Sequence, residues 1–248
     1  MSNDELHVSK SAVRRAGSTL RRFAREEATD AETDEALEVI DAYRRSFSDP
    51  LNAVAAALGG ILRESGIRGE VSQRLKRMQT IAEKIIGRES GLDLSRMQDI
   101  GGCRVVLDSD DVADLRRLEG LVRDHWGDPC KRFSNYVDRP RESGYRAIHI
   151  VVVQNGRMIE IQLRTQRMHL WAELVESLSG VLGTNYKQDG DSLVQDFARH
   201  LSLAMRAEER GEVIGADDQL KFDDLTKKLQ IQLAMLAQIE EDLHDVRG

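Results

Sequence analysis

The stretch from residue 148 to 164 carries side chains that suit acid–base and phosphate chemistry. It reads I-H-I-V-V-V-Q-N-G-R-M-I-E-I-Q-L-R, two β-branched, alternating runs on either side of Asn155-Gly156. That dipeptide favours a two-residue type I′ turn, so we predict a β-hairpin with one apolar face on a core and one polar face. The polar face is predicted to carry His149, Glu160 and Gln162, with Arg164 further along.

Two further stretches supply charges that fit the same chemistry. A basic cluster consists of Arg74, Lys76 and Lys84. Such a cluster has the charge and reach to hold a polyphosphate, although a solvated helix face is the simpler interpretation of it alone. Asp99 enters a strand predicted over residues 100–107, and we expect its carboxylate and that of Glu160 on neighbouring strands. Two carboxylates so placed are a natural Mg²⁺ site for phosphate transfer, because that ion takes a few protein oxygens together with substrate phosphates.

The loop R-P-R-E-S-G-Y-R, residues 139–146, sets an aromatic ring among guanidinium groups. Tyr145 can stack on a base while Arg141 and Arg146 meet its phosphates. Taken alone, a loop tyrosine more often packs against its own protein than against a ligand.

The elements that position these residues follow from hydrophobic periodicity. Residues 69–88 fit either one helix or a short strand followed by a helix. The other predicted elements are helices before residue 66, a strand at 100–107, a helix from 108–111 to about 125, a strand at 131–136, a loop at 138–145 and a helix at 167–182. The predicted fold class is α+β, a mixed sheet of about five strands flanked by helices that resembles a nucleotidyltransferase core.

The C-terminal stretch predicts a helix with a coiled-coil seam. Its seam residues are Leu225, Leu229, Gln232, Leu236, Ile239, Leu243 and Val246. A seam of about three heptads is short for an isolated coiled coil, so it needs a partner surface. That partner is either the upstream helix near 197–205 or another subunit, and we predict a homo-oligomer.

Composition limits the class of protein. The chain has 248 residues, 40% apolar residues and a net charge of −7, which argues against a general polyanion-binding protein. Cys103 and Cys130 lack CxxC spacing, and neither a transmembrane-length apolar run nor a signal-peptide core occurs. We therefore expect a soluble, cytoplasmic protein. The expected organisation is an N-terminal helical segment at 1–68, a core at 69–188 and C-terminal helices at 189–248, forming one compact domain.

The order of these motifs resembles the synthetase domain of the RelA/SpoT family, the (p)ppGpp synthetases. The resemblance spans roughly residues 70–188, and the length and Ser143 are similar to the small stand-alone synthetases. It rests on R-L-K followed by Lys84, on D-I-G-G-C-R, on S-G-Y-R-A-I-H, on E-I-Q-L-R-T, on M-H-L-W-A-E and on N-Y-K at 185–187. Synthetases of this type transfer the pyrophosphate of ATP to the 3′-hydroxyl of GDP or GTP, giving ppGpp or pppGpp and AMP, and are commonly homotetramers.

The resemblance implies roles for the residues that match its motifs. For ATP, it implies that Arg74 and Arg104 sandwich the adenine. Lys76 and Lys84 would hold the ATP phosphates. Arg104 and Asp99 are five positions apart and would lie on opposite faces of a regular strand, which a bulge at the intervening glycines would reconcile.

For the metal and the acceptor, the resemblance implies that Asp99 and Glu160 bind Mg²⁺. Glu160 would also activate the acceptor hydroxyl, and Tyr145 would stack on guanine. The other implied acceptor residues are His149 and Gln162, which would line the site, and Arg141, which would contact acceptor phosphates.

The sequence also departs from the family pattern. Ser134 stands where the family often has a lysine, and Val175 and Glu176 replace an acid and a histidine. Two other functions therefore stay open. One is a non-catalytic nucleotide-binding protein, and the other is a toxin-type synthetase that pyrophosphorylates the 3′ end of tRNA, whose backbone would suit the N-terminal arginines.

Overall fold

The computed structural model describes residues 8–87, 93–127, 132–182 and 193–245. Over these ranges the helices are α1 Lys10–Phe23, α2 Asp30–Arg45, α3 Ser48–Ser65, α4 Met78–Ile86, α5 Val112–Trp126, α6 Gln166–Leu182, α7 Leu193–Glu209 and α8 Ala216–Asp245. The strands are β1 Gly69–Leu75, β2 Gly101–Leu107, β3 Arg132–Asn135, β4 Ile148–Gln154 and β5 Arg157–Arg164, and a 3₁₀ turn lies at Leu94–Arg96. Within these ranges, each helix is too short or too polar to cross a membrane.

The five strands form one mixed sheet in the order β1-β2-β5-β4-β3. The predicted α+β class with a sheet of about five strands is confirmed. Strands β4 and β5 are the predicted hairpin, and their turn has φ of 48° at Asn155 and 74° at Gly156. Positive φ at both central residues is what a type I′ turn requires.

The apolar face of the hairpin is fully buried. Its side chains are at most 1% exposed, namely Ile148, Ile150, Val152, Ile159, Ile161 and Leu163. Phe47, at the start of α3, reaches this face, because a Cβ built on Gly101 would lie 2.8 Å from Ile159 Cδ1 and 3.2 Å from Phe47 Cδ1. Phe47, at the junction of α2 and α3, therefore packs on the apolar side of the sheet.

The chain forms two units by its internal contacts. The first consists of Met1–Val105, Arg116–Ser134 and His149–Leu163, and it holds α1 to α4 and most of the sheet. The second consists of Val106–Leu115, Asn135–Ile148 and Arg164–Gly248, and it holds α6 to α8. The predicted boundary between residues 68 and 69 stays a prediction, and the one between 188 and 189 lies outside the described residues.

Two ambiguous stretches are resolved by the structure. Residues 69–88 form strand β1 and then helix α4, so the interpretation as one helix is wrong. At the C-terminus, Leu225 and Leu229 of α8 are each 6% exposed, and α8 packs on α7. Gln232 is exposed, whereas Leu233 packs against a buried apolar cluster of Leu178, Val194 and Leu229. Gln232 therefore lies outside the buried face of α8, whereas the side chains of the later seam residues Leu236, Ile239, Leu243 and Val246 lie outside the described residues.

Candidate active site

A pocket opens on the polar side of the sheet in the first unit, where β1, β2 and β5 are neighbours. Its lining consists of Ser72, Gln73, Arg74, Asp99, Gly102, Cys103, Arg104, Glu160 and Gln162. Five of these residues are sequence-predicted site residues from three separate motifs. The structure therefore brings together Arg74, Asp99, Arg104, Glu160 and Gln162.

Asp99 is held by two lysines. Lys76 Nζ donates to Asp99 Oδ2 at 2.9 Å, and Lys84 Nζ lies 3.3 Å from the same oxygen. The backbone of Lys76 is fixed on both sides, since its N–H donates to Ile100 O at 2.8 Å and its carbonyl accepts from Arg44 Nε at 2.7 Å. Two members of the predicted basic cluster, Lys76 and Lys84, thus converge on the carboxylate that was predicted to bind a metal.

The placement of Asp99 also settles the register problem. Asp99 lies before β2 begins at Gly101, so the alternation of strand faces does not apply to it. Within β2, buried and half-buried residues alternate regularly through the glycines, and the half-buried Arg104 lines the pocket. The suggested bulge is not needed.

The charge state of Asp99 follows from its neighbours. Burial alone would raise the pKa of this carboxyl group, but the hydrogen bond and charge of Lys76 and the charge of Lys84 outweigh it and hold the pKa below its ordinary value. Asp99 is therefore ionised at neutral pH.

Glu160 is held between two polar partners on the hairpin. His149 Nδ1 lies 3.0 Å from Glu160 Oε1, and Gln162 Nε2 donates to Glu160 Oε2 at 2.8 Å. Burial would raise the pKa of Glu160, whereas His149 and Gln162 lower it, and the net pKa lies below the ordinary value. The negative charge of Asp99 acts in the opposite direction and raises this pKa, so the two carboxylates repel each other.

A divalent cation would relieve that repulsion. Among the residues that the structure describes, no group of three or more His, Cys, Asp or Glu side chains could hold a metal ion. Asp99 and Glu160 line one pocket as a two-carboxylate donor set. Such a set fits Mg²⁺, which is commonly bound by one or two carboxylates together with substrate phosphates and water.

A separate aromatic cluster surrounds Tyr145 in the second unit. Arg141 Cζ and Arg164 Cζ lie 5.5 and 5.3 Å from the centre of the Tyr145 ring, and Arg164 Nη2 donates to its hydroxyl at 2.9 Å. The rings of Tyr136 and Trp171 lie 6.0 and 6.1 Å away. Tyr145 is itself half-buried.

Sequence reasoning missed Tyr136 and Trp171 as members of this cluster. Arg141 lies over the Tyr136 ring at 4.5 Å and donates to its hydroxyl at 3.0 Å. Trp171 stands inside M-H-L-W-A-E, a motif that carried the family resemblance, and Tyr136 stands two residues after Ser134, where the sequence departs from the family pattern. That position was the available signal, whereas their packing around Tyr145 depends on tertiary contacts.

The residues that depart from the family pattern have ordinary environments. Val175 is 1% exposed in an apolar cluster with Trp171, Ala172 and Ala198, and Glu176 is exposed. Ser134 is half-buried on β3. The N-Y-K motif at 185–187 lies outside the described residues.

Comparison of the sequence with known proteins supports the motif assignments. Residues 73–190 match the region found in RelA / SpoT proteins. GTP pyrophosphokinase rsh of Brucella melitensis is 31% identical over 153 residues, which are 61% of this chain and 19% of that protein. A probable GTP diphosphokinase of Oryza sativa chloroplasts is 34% identical over 114 residues, which are 45% of this chain and 16% of that protein. The chain thus matches under a fifth of the length of these curated relatives.

Solved structures share the fold. Small alarmone synthetase 1 of Bacillus subtilis, solved with its product pppGpp, is 26% identical with a TM-score of 0.55, over 69% of this chain and 94% of that one. A GTP pyrophosphokinase family protein of Streptococcus pneumoniae is 25% identical with a TM-score of 0.52, over 72% and 96%. Residues 73–190 therefore match the region found in RelA / SpoT proteins, in agreement with the resemblance of the G-Y-R-A-I-H and E-I-Q-L-R-T motifs, and the chain shares the fold of the small alarmone synthetases.

Proposed function

We propose that this chain transfers the β,γ-pyrophosphate of ATP to the ribose 3′-hydroxyl of GDP or GTP, giving ppGpp or pppGpp and AMP. The observation that carries the proposal is the pocket in which two carboxylates, Asp99 and Glu160, meet Arg74 and Arg104. The RelA/SpoT match and the likeness to a synthetase solved with pppGpp support the same reaction.

ATP binding is assigned to the cationic residues of the first unit. Arg74 and Arg104 stand on the neighbouring strands β1 and β2, where two planar guanidinium groups can enclose the adenine ring. Lys76 and Lys84 hold the ATP phosphates, exchanging the carboxylate of Asp99 for phosphate oxygens. The charge of Asp99 holds both ammonium groups at this position. Its attraction offsets the free-energy cost of removing these groups from water, so ATP binding does not have to supply that cost.

Mg²⁺ is assigned to Asp99 and Glu160, and when bound it would supply charge neutralisation for the triphosphate. Both carboxylates carry a pKa below the ordinary value and are ionised at neutral pH, as metal ligands must be. His149 and Gln162 orient the Glu160 carboxylate through contacts of 3.0 and 2.8 Å.

The acceptor nucleotide is assigned to Tyr145, Arg141, His149 and Gln162. The half-buried Tyr145 ring offers a face for guanine, and the exposed Arg141 beside it offers a guanidinium group for phosphates. The imidazole of His149 and the amide of Gln162 provide hydrogen-bonding groups for the ribose.

The reaction forms one bond and breaks one. The acceptor 3′-oxygen attacks the β-phosphorus of ATP, the bond between that phosphorus and the oxygen bridging to the α-phosphate breaks, and AMP leaves with the bridging oxygen. Glu160 accepts the proton of the 3′-hydroxyl. Positioning of the two nucleotides and stabilisation of charge on the transferring phosphates supply most of the rate enhancement.

The test is incubation of the purified protein with γ-labelled ATP, Mg²⁺ and either GDP, GTP or tRNA. We expect label in ppGpp or pppGpp with an equal amount of AMP, and loss of both with Glu160→Gln. Label on tRNA alone would favour the toxin-type reaction. No labelled product, together with measurable nucleotide binding, would make the chain a non-catalytic binding protein.

We further propose that the chain forms a homo-oligomer, with a tetramer as the expected size. The observation in support is the outer part of α8, where Ile231 and Met235 are 57% and 63% exposed although the same helix already packs on α7. Apolar side chains left in solvent on a long helix favour a contact with another copy.

A further inference from the structure

The loop that carries Tyr145 contacts helix α7 at three positions along its length. We call residues 141–146 the acceptor loop. Ser202 Oγ donates to Gly144 O at 2.6 Å, and Arg199 Nε donates to Glu142 O at 3.0 Å. These contacts span the middle turns of the helix.

The third attachment is an ion pair at the C-terminal end of α7. Arg146 Nη1 donates to Glu209 Oε1 at 3.1 Å, and Arg146 Nη2 makes a second, shorter contact with Glu209 Oε2. The two side chains are 6% and 4% exposed. Separation of such a buried pair leaves an uncompensated charge, so this contact resists opening.

The backbone of the acceptor loop lies directly on the helix. Gly144 has a φ of +88°, and a Cβ at this position would lie 2.9 Å from Ser202 Cβ and 3.1 Å from both Ala198 O and Arg199 Cα. A glycine is needed there both for the positive φ and for the close approach. The loop therefore has no room to approach α7 more closely, and the three attachments oppose its movement away from the helix.

Tyr145, the residue assigned to stack on guanine, lies next to this contact. Tyr145 follows Gly144 in the chain, and its ring packs against Trp171, whose Nε1 donates to Ala198 O on α7 at 2.7 Å. The ring is thus oriented from two directions by groups that rest on one helix. A stacking platform held in its bound orientation binds more tightly, because less conformational freedom is lost on binding.

We propose that α7 sets the affinity for the acceptor nucleotide, with Ser202 and Glu209 as positioning residues that act through the orientation of Tyr145. The proposal rests on the proposed function, in which Tyr145 stacks on guanine. Apparent affinity falls in proportion to the fraction of molecules whose loop is in the binding position. Loosening the loop must therefore weaken GDP and GTP binding, whereas Arg74 and Lys76, assigned to ATP, belong to a different unit.

The test compares Ser202→Ala and Glu209→Gln with the wild-type protein, by calorimetric GDP and ATP binding and by steady-state kinetics. Loss of one buried hydrogen bond predicts an increase of about three- to tenfold in the Kd and KM for GDP with Ser202→Ala. With Glu209→Gln, the Kd and KM for GDP are expected to rise by more than about tenfold, because Arg146 loses its charge partner. The KM for ATP should stay within about twofold in both variants.

Two matched controls are available in the second unit. Ser179→Ala removes a serine hydroxyl that donates to Val175 O at 2.6 Å within α6. Glu208→Gln changes the residue before Glu209. The carboxylate of Glu208 pairs with Arg167 rather than with Arg146. Both controls should retain wild-type Kd and KM for GDP.

The outcomes separate this inference from the proposed function. Unchanged GDP affinity in Ser202→Ala and Glu209→Gln, or an equal loss of ATP affinity, overturns the inference while the wild-type reaction stands. A wild-type protein that binds no guanine nucleotide overturns both. If Glu209→Gln does not fold by circular dichroism, the GDP affinity of Ser202→Ala decides alone.

Discussion

Asp99→Asn tests the ion pair between Asp99 and Lys76 in the pocket. In the wild type, Asp99 accepts from Lys76 at 2.9 Å, and the two side chains are 29% and 10% exposed. The amide cannot neutralise the lysine, so a mostly buried ammonium group loses its main charge partner. We expect two consequences: loss of stability without nucleotide, and loss of pyrophosphate transfer because a metal ligand is removed.

The size of the stability loss follows from this geometry. Hydrogen bonds to charged groups contribute about 1.5–3 kcal/mol, and partial exposure of Asp99 puts the expected loss near 2 kcal/mol. For a chain of this length that corresponds to a fall in Tm of about 4–8 °C. Because the folded-state pKa of Asp99 is below its ordinary value of 3.8, the contribution is present at pH 7 and is lost as the pH falls through the lowered pKa.

The assay is a double-mutant cycle on the free energy of unfolding, measured by denaturant titration at pH 7. Lys76→Met, Asp99→Asn and the double variant complete the cycle. The loss of unfolding free energy in the double variant should be smaller than the sum of the losses in the two single variants, by about 1–2 kcal/mol. Losses that add to within about 0.5 kcal/mol would refute the pairing, as would an unchanged Tm in Asp99→Asn.

An exposed carboxylate–lysine pair provides the control. Asp224 lies 2.7 Å from Lys228 on α8, and their side chains are 57% and 60% exposed. Because water screens this pair, Asp224→Asn should cost under about 0.5 kcal/mol and leave transfer intact. A loss as large as that of Asp99→Asn would show that burial is not the cause.

Three further predictions concern binding, reactivity and assembly. Tyr145→Ala should raise the Kd for GDP measured by calorimetry at least about tenfold, with little change in the Kd for ATP. Tyr145→Phe should have a smaller effect because the ring remains. An equal loss of ATP affinity would contradict the assignment of Tyr145 to guanine. Burial raises the pKa of Cys103 to about 12, so iodoacetamide at pH 8 should label this thiol only in denaturant, and peptide mapping by mass spectrometry checks this; rapid native labelling would be inconsistent with its burial. Ile231→Glu combined with Met235→Glu should lower the mass found by light scattering without unfolding the chain, and an unchanged oligomer would move its contacts away from α8.

Local sequence rules determined the hairpin and its chemistry. The Asn155-Gly156 turn and the two-residue period of a strand fix which side chains share a face, and both act over a few neighbouring residues. They were sufficient to group His149, Glu160 and Gln162, which the structure holds within hydrogen-bonding distance. The same periodicity predicted the fold class and, to within a few residues, the bounds of α5 and α6.

Tertiary structure alone decided the rest, because the contacts concerned join residues far apart in the chain. Asp99 precedes β2, so the alternation of side chains along a strand does not predict which way its carboxylate points. That orientation depends on Lys76, which follows β1, and on Lys84 of α4, and both contact the carboxylate. The attachment of the acceptor loop to α7 joins Gly144 to Ser202, and no local period reports that pairing. Likewise, the choice of α7 as the partner of α8 was open in the sequence, since an apolar stripe specifies what must be buried but not which surface covers it.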